Sequence, residues 1–365
     1  MGKTILFFSL LICLLLPFNS FSGLNDSTSN YYSCVNRANY HASMNNLDSS
    51  SFLFKEAFMV KKNPFTMHLN NSIVVEINKP IPDTNFITSN LKKLILKGAR
   101  MSKIFKKVDV KYYCSLIDTN QITNKYLFID SIVKATALVD QSIRNYAYSK
   151  YSVPYPTELY DSIISSDKHN IEIVQKIFCL KDFNEDYIMN CQEEVKLIIQ
   201  HVRGTDFDPL RKMILELIHL GKIDVRQFIF LLDEDCFQIY NSEIDSEVSE
   251  YKNWKIINDC DQALGIFGTG YVDIFENTIV LSELDESKLE KINKVRTKVF
   301  LNNLYEDAKI ISFAYFGILK GFKYYIPVIF SDNGLSAKVI ESLKRQNKRT
   351  IIFRGKEDFD INRKF

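Results

Sequence analysis

Phe52-Leu-Phe-Lys-Glu-Ala-Phe-Met-Val60 and Ser72-Ile-Val-Val-Glu-Ile77 are the stretches whose reading decides the fold class. Both are rich in aromatic and β-branched residues, which fit a pleated surface, so both read as strands. Pro64, Pro80 and Pro82 punctuate them as turns do. Val108-Asp-Val-Lys-Tyr-Tyr-Cys114 alternates apolar and polar residues and reads as a third strand. Leu91–Phe105 lies between, with Leu91, Leu94, Ile95, Met101 and Phe105 on one helical stripe. Upstream, residues 23–50 are polar and read as an irregular arm: Asn25 to Asn30 contains no apolar residue, and Asn45, Asn46, Ser49 and Ser50 follow later. Residues 23–125 therefore read as a mixed α/β region.

Residues 126–262 read as a helical bundle. Phe128, Ile132, Ala135, Val139, Ile143 and Tyr146 recur at spacings of three and four, giving one amphipathic helix that ends before Pro154 and Pro156. A second helix spans Thr157–Leu180, with a break expected near Ser165-Ser166-Asp167, and a third spans Tyr187–Val202. The next has the clearest punctuation. Asp208 is the expected N-cap, Pro209 the first helical residue, Leu210, Ile214 and Leu217 the inward stripe, and Gly221 the stop. Asp224 and Gln227 then resemble a capping box for a short helix to Leu232.

Residues 263–365 read as mixed α/β. Tyr271–Leu281 has the pattern of a hairpin around Glu276-Asn277, and a helix follows over Asp285–Leu304 with Leu289, Ile292, Val295 and Val299 inward. Tyr324–Phe330, Leu335–Gln346 and Thr350–Phe353 read as strand, helix and strand, with room for a parallel crossover. The expected class is α+β: a β-containing N-terminal part, a central helical bundle and a C-terminal mixed part, together able to form one composite domain.

Apolar residues make up 46% of the 365, enough for a sizeable core, and 46 Lys+Arg against 44 Asp+Glu exclude broad electrostatic capture of nucleic acid. Residues 1–22 read as a signal peptide: Lys3 is the charged start, Ile5–Phe18 the apolar run, and Ser20 and Ser22 the small residues before a cut at Gly23. That run has 14 residues, fewer than the roughly 20 that span a bilayer. Ala308–Phe330, the next most apolar stretch, carries Lys309, Lys320 and Lys323 and reads as buried core, so no transmembrane span is expected after cleavage. The expected location is a secretory organelle or the cell exterior.

Cys13 leaves with the signal. An oxidising compartment then favours disulfides among Cys34, Cys114, Cys179, Cys191, Cys236 and Cys260. Pairing of neighbours closes the shortest loops: Cys179–Cys191, Cys236–Cys260 and Cys34–Cys114. Asn25 and Asn70 open glycosylation sequons.

The chain contains no G-x-S-x-G, H-E-x-x-H or G-x-x-x-x-G-K-[ST] motif, and His41, His68, His169, His201 and His219 are scattered. Gly265-Ile-Phe-Gly268-Thr-Gly270 leads into an expected strand, the wrong context for phosphate binding at a helix N-terminus. Asp182, Asn184, Asp186 and Glu193 match calcium-loop positions, but Tyr187 stands where such loops need Gly, so an acidic helix–helix turn is expected. Asp233-Glu-Asp235 reads as a solvated helix end. These readings give no catalytic residue, no cofactor and no metal. Arg345, Lys348 and Arg349, within a basic C-terminal end, are candidates for contact with an anionic surface such as a lipid headgroup or glycan.

With 29 asparagines, a single Trp254, a signal-like start and six further cysteines, the chain resembles secreted, micronemal-type proteins of malaria parasite ookinetes or merozoites. The resemblance lies in composition and layout, and it implies a secreted, non-enzymatic protein of host or vector invasion. Three functions follow for testing. The first is binding of a partner protein, glycan or membrane surface; the second a secreted hydrolase-like enzyme with a dispersed site; the third a lipid or small-molecule carrier lined by some of the 27 Phe and 19 Tyr.

Overall fold

The computed structural model describes residues 26–99, 108–117, 126–151, 156–201, 208–229, 231–232, 272–275, 278–282, 286–316 and 349–353. The fold is mainly α, not α+β, and the N-terminal part holds helices where strands were expected. The polar arm is in fact α1 (Asp26–Ser43). The supposed strands are α2 (Leu47–Val60), α3 (Thr66–Ile77) and α5 (Val108–Ser115), and the expected helix beginning at Leu91 is α4 (Thr84–Leu96).

Local chemistry starts these helices and packing sustains them. The Asn46 side chain accepts from the Ser49 N–H to cap α2, and Asp83 accepts from Phe86 N–H to cap α4. Ile73, Val74 and Val75 are consecutive and all fully buried, so α3 is enclosed on every side and shows no two-faced pattern. Burial of this kind outweighs the modest preference of β-branched residues for strands. In α1 the buried residues Tyr31, Tyr32, Val35, Ala38 and Ala42 form a helical stripe hidden among polar neighbours.

The central helices are α6 (Leu127–Lys150), α7 (Thr157–Phe178), α8 (Gln192–Gln200) and α9 (Asp208–His219). The expected break at Ser165–Asp167 does not occur, because Arg144 pairs with Asp167 and Asn170 donates to Ser166 Oγ along an unbroken α7. In α9, Leu210, Ile214 and Leu217 face inward as expected, and Gly221 after it has φ 63°. A Cβ there would lie 3.0 Å from Thr28 Oγ1. Asp224 caps the helical stretch 225–229 through the Arg226 N–H at 2.8 Å, while the Gln227 side chain accepts from Lys196 instead of closing a box.

Helices α10 (Glu286–Lys298) and α11 (Leu304–Phe316) follow, with Ile292 and Val299 buried as expected. Phe300 turns the chain between them at φ 62°, stacks on Tyr32 with ring centroids 5.0 Å apart, and accepts from Asn36 through its carbonyl. Asp307 is buried between Arg226, at 2.6 Å, and Arg296, which locks the final helices onto the 225–229 stretch. A small antiparallel sheet has the order β1 (Val272–Phe275), β2 (Thr278–Ser282), β3 (Arg349–Phe353), with Phe275 opposite Thr278. The hairpin pairing follows the expectation; β3 runs antiparallel to β2. The expected strand and helix over 324–346 lie outside the described residues.

Helices α1 to α5 pack successively, α6, α7 and α8 pack on one another, and α11 returns onto α1. Among the described residues, no helix is long and apolar enough to cross a membrane.

Candidate functional site

Two groups of ionisable side chains are assembled from distant parts of the chain. The first is sealed in the core. Phe65 N–H donates to Tyr31 Oη at 3.2 Å, and Tyr31 Oη lies 2.6 Å from His68 Nδ1. His68 Nε2 lies 3.2 Å from Asp224 Oδ2, which Tyr32 Oη also approaches. Burial, then Arg226 and Lys61, holds the His68 imidazole well below its ordinary pKa, so it is neutral. Tyr31 therefore donates to a bare Nδ1, and the Nε2 hydrogen faces the carboxylate.

Glu185 reaches this centre from a 3-10 turn, Glu185–Tyr187, and accepts from Thr66 N–H at 2.6 Å. Burial raises its carboxyl to about 7 and that of Asp224 to about 6. Lys61 donates to the Gly221 carbonyl at 2.7 Å and lies over the Phe65 ring; Lys97 pairs with Asp186 at 2.5 Å. The order tyrosine–histidine–carboxylate resembles a proton relay, but Tyr31, His68 and Asp224 are all buried. As placed, the chain of bonds pins α1, α3 and the 224 cap together.

The second group lies where α6, α7 and α8 meet. Asp140 on α6 accepts from Asn170 Nδ2 at 3.2 Å through Oδ1, while its Oδ2 lies 2.8 Å from Nδ1 of His201, the cap residue of α8. Arg144, one turn on, approaches Asp140 and pairs with Asp167 of α7. Ligand atoms of Asp140, Asp167 and His201 all fall within 4.8 Å of one another. Burial pushes the Asp140 carboxyl up, but His201 and Arg144 outweigh it and hold it below the ordinary value. The Asp167 carboxyl stays raised, by burial against the pull of Arg144.

These contacts turn α6 inside out. Its buried residues are Asp130, Val133, Ala137, Asp140 and Ala147. The apolar stripe expected to face inward is instead open at Phe128, which is 77% exposed, and at Val139, 58% exposed, beside Leu138 at 70%. Every exposed residue from Leu127 to Ser149 is uncharged. The 3.6-residue period located the helix correctly. It assigned the wrong face, because buried acids with partners on α7 and α8 are invisible to a hydrophobic count.

The cysteine pairings are corrected where they can be seen. Cys34, Cys114, Cys179 and Cys191 are not joined in disulfides. Cys179 is exposed at the end of α7, whereas Cys191 is buried at the start of α8 with its thiol toward Asp130; burial first, then that carboxylate, raises it to about 12. Cys34 is on α1, which packs against α2 and α11, and Cys114 is on α5, which packs against α4. Cys236, Cys260, Arg345 and Lys348 lie outside the described residues, as do the 265–270 glycines, Asp233–Asp235, Asn25 and the signal-like segment. Arg349 opens β3. The calcium-loop residues do not converge: Asn184 caps the 3-10 turn, Asp186 pairs with Lys97, and Glu193 pairs with Lys196. His219 bonds to the carbonyls of Leu215 and Lys298.

No protein-family model, curated protein or solved structure matches the chain.

Proposed function

We propose that this chain is a secreted binding protein that docks a partner protein through the apolar outer face of α6. Its place of action is the one that its resemblance to invasion proteins of malaria parasites implies, the surface of a host or vector cell. The observation that carries the reading is the inverted α6, with acids inside and Phe128, Leu138, Val139 and Tyr146 outside. Exposed apolar surface of that continuity is characteristic of interaction sites. Recognition of an anionic lipid or glycan calls for a cluster of Lys or Arg on the contacting face, and the exposed charge of α6 is confined to Lys150 at its end, over the Tyr146 ring. An apolar groove on a protein fits such a helix, read through anchors at helical spacing. The hydrolase alternative draws no support from the Tyr31–His68–Asp224 chain, which is closed to substrate.

The test is saturable binding of the purified, labelled chain to host and vector cells, with Leu138→Lys/Val139→Lys as the probe. Both positions are exposed, so thermal unfolding should be unchanged while affinity falls by about tenfold or more. Unchanged binding refutes the α6 face. A stable dimer in sedimentation that the same variant dissolves assigns the face to a second copy and overturns the partner reading.

A further inference from the structure

We infer that Asp140, Asp167 and His201 form a binding site for one divalent transition-metal ion of the zinc class, with Arg144 as the cation that occupies it in the ion's absence. The three donors come from three elements that converge on one point, and their ligand atoms are mutually within 4.8 Å. An ion held tetrahedrally at about 2.0–2.2 Å spaces its ligand atoms about 3.4 Å apart, so side-chain rotation closes the site without moving the helices. One imidazole nitrogen with two carboxylate oxygens suits zinc, cobalt or manganese better than the hard magnesium ion, and leaves a fourth position for water.

Three further observations point to a ligand. His201 Nδ1 is buried and finds no hydrogen-bond partner among the described residues, although Asp140 Oδ2 is 2.8 Å away. That nitrogen faces Asp140 Oδ2 outside hydrogen-bond geometry, across the gap that an ion between the two would bridge. Asn170 holds Asp140 from behind through Oδ1, which leaves Oδ2 turned toward His201 and Arg144, the arrangement that outer-shell partners impose on metal-binding carboxylates. Charge completes the argument. Two carboxylates from α6 and α7 meet in a largely buried place, where a cation between them offsets their mutual repulsion. A divalent ion neutralises both acids, and Arg144, whose side chain is 14% exposed, has a path to solvent.

The experiment is titration of the untagged full chain with cobalt(II), read by its visible ligand-field absorption, followed by zinc competition. One cobalt per chain is expected, displaced by zinc and not by an equal concentration of magnesium. H201Q should weaken binding by at least about a hundredfold, because loss of an outer-shell partner alone costs about 10–100-fold; N170A should fall in that lower range. R144Q, which removes the competing cation, should tighten it. Should H201Q fail to fold, histidine-labelled wild type gives the same answer by NMR: cobalt shifts the imidazole signals of one histidine of the five. Absence of stoichiometric binding, binding that survives H201Q, or cobalt shifts on a histidine other than His201 overturns the site. None of these outcomes touches the outer face of α6, so this test and the docking test fail independently.

Discussion

Replacing Glu185 by Gln should stabilise the protein at alkaline pH and leave it unchanged in acid. Glu185 is fully enclosed, and burial, opposed by Lys97 and reinforced by Asp224, raises its carboxyl from 4.5 to about 7. Between those values the folded protein keeps a proton that the unfolded chain has released. Stability therefore falls as pH rises from about 4.5 to about 7 and is flat, on account of this group, above that. At about 1.4 kcal/mol per pKa unit the gap corresponds to up to about 3 kcal/mol. Gln has the shape of the protonated acid, and its Oε1 still accepts from the Thr66 N–H, which Glu185 binds at 2.6 Å. The assay is urea unfolding of wild type and variant at about pH 4 and about pH 8.5, with the linear dependence on denaturant extrapolated to water. The variant should gain about 2–3 kcal/mol at the higher pH and change by less than about 0.5 kcal/mol at the lower. A wild-type slope with pH survives in the variant, because Asp224, raised to about 6, titrates in the same direction. An equal change at both pH values, or a loss at the higher one, refutes the claim that the folded state carries an uncompensated charge at Glu185.

Tyr31→Phe should cost about 1–3 kcal/mol in chemical unfolding, because His68 Nδ1 and the Phe65 N–H both lose their partner inside the core. Gly221→Ala should cost about 1–2 kcal/mol, since an L-residue resists φ 63° and the new Cβ meets Thr28; an unchanged midpoint would remove that turn from the account. Alkylation of the native protein followed by peptide mapping should modify Cys179 quickly and spare Cys191 until the chain unfolds. The basic end is tested by Lys348→Glu/Arg349→Glu: if it steers the chain to an anionic cell surface, association slows and its salt dependence weakens while dissociation, governed by α6, is unchanged. An unaltered association rate removes Arg345, Lys348 and Arg349 from the binding surface.

Several parts of the fold were legible in the residues because they are written in local chemistry. Pro209 and Gly221 bracket α9 through a preset φ and a left-handed stop, neither of which depends on distant contacts, and Leu210, Ile214 and Leu217 face inward; Asp208, expected as the cap, is the first residue of the helix. The pairing of β1 with β2 was likewise readable from two adjacent β-branched runs around Glu276-Asn277. The N-terminal part was not. Ile73, Val74 and Val75 look like a strand in isolation and become helix because α3 is surrounded on all sides, a fact carried by its neighbours. The stripe of α1 was present in the sequence at Tyr31, Val35, Ala38 and Ala42, and the polar residues between them masked it.

The sequence by itself determined the stop at Gly221 and the cap at Asp224, and that the chain has enough apolar residues for a large core. Only the tertiary structure decided which face of each helix goes inward and which ionisable groups meet. Asp140, Asp167 and His201 have no motif spacing, and His68 has no sequence neighbour in common with Asp224. Periodicity counts apolar residues along one helix, whereas the cost of burying a charge depends on the partner supplied from another. Because α7 and α8 supply Arg-paired Asp167, Asn170 and His201, α6 can turn its acids to the interior and leave Phe128, Val139 and Tyr146 of the expected stripe in water.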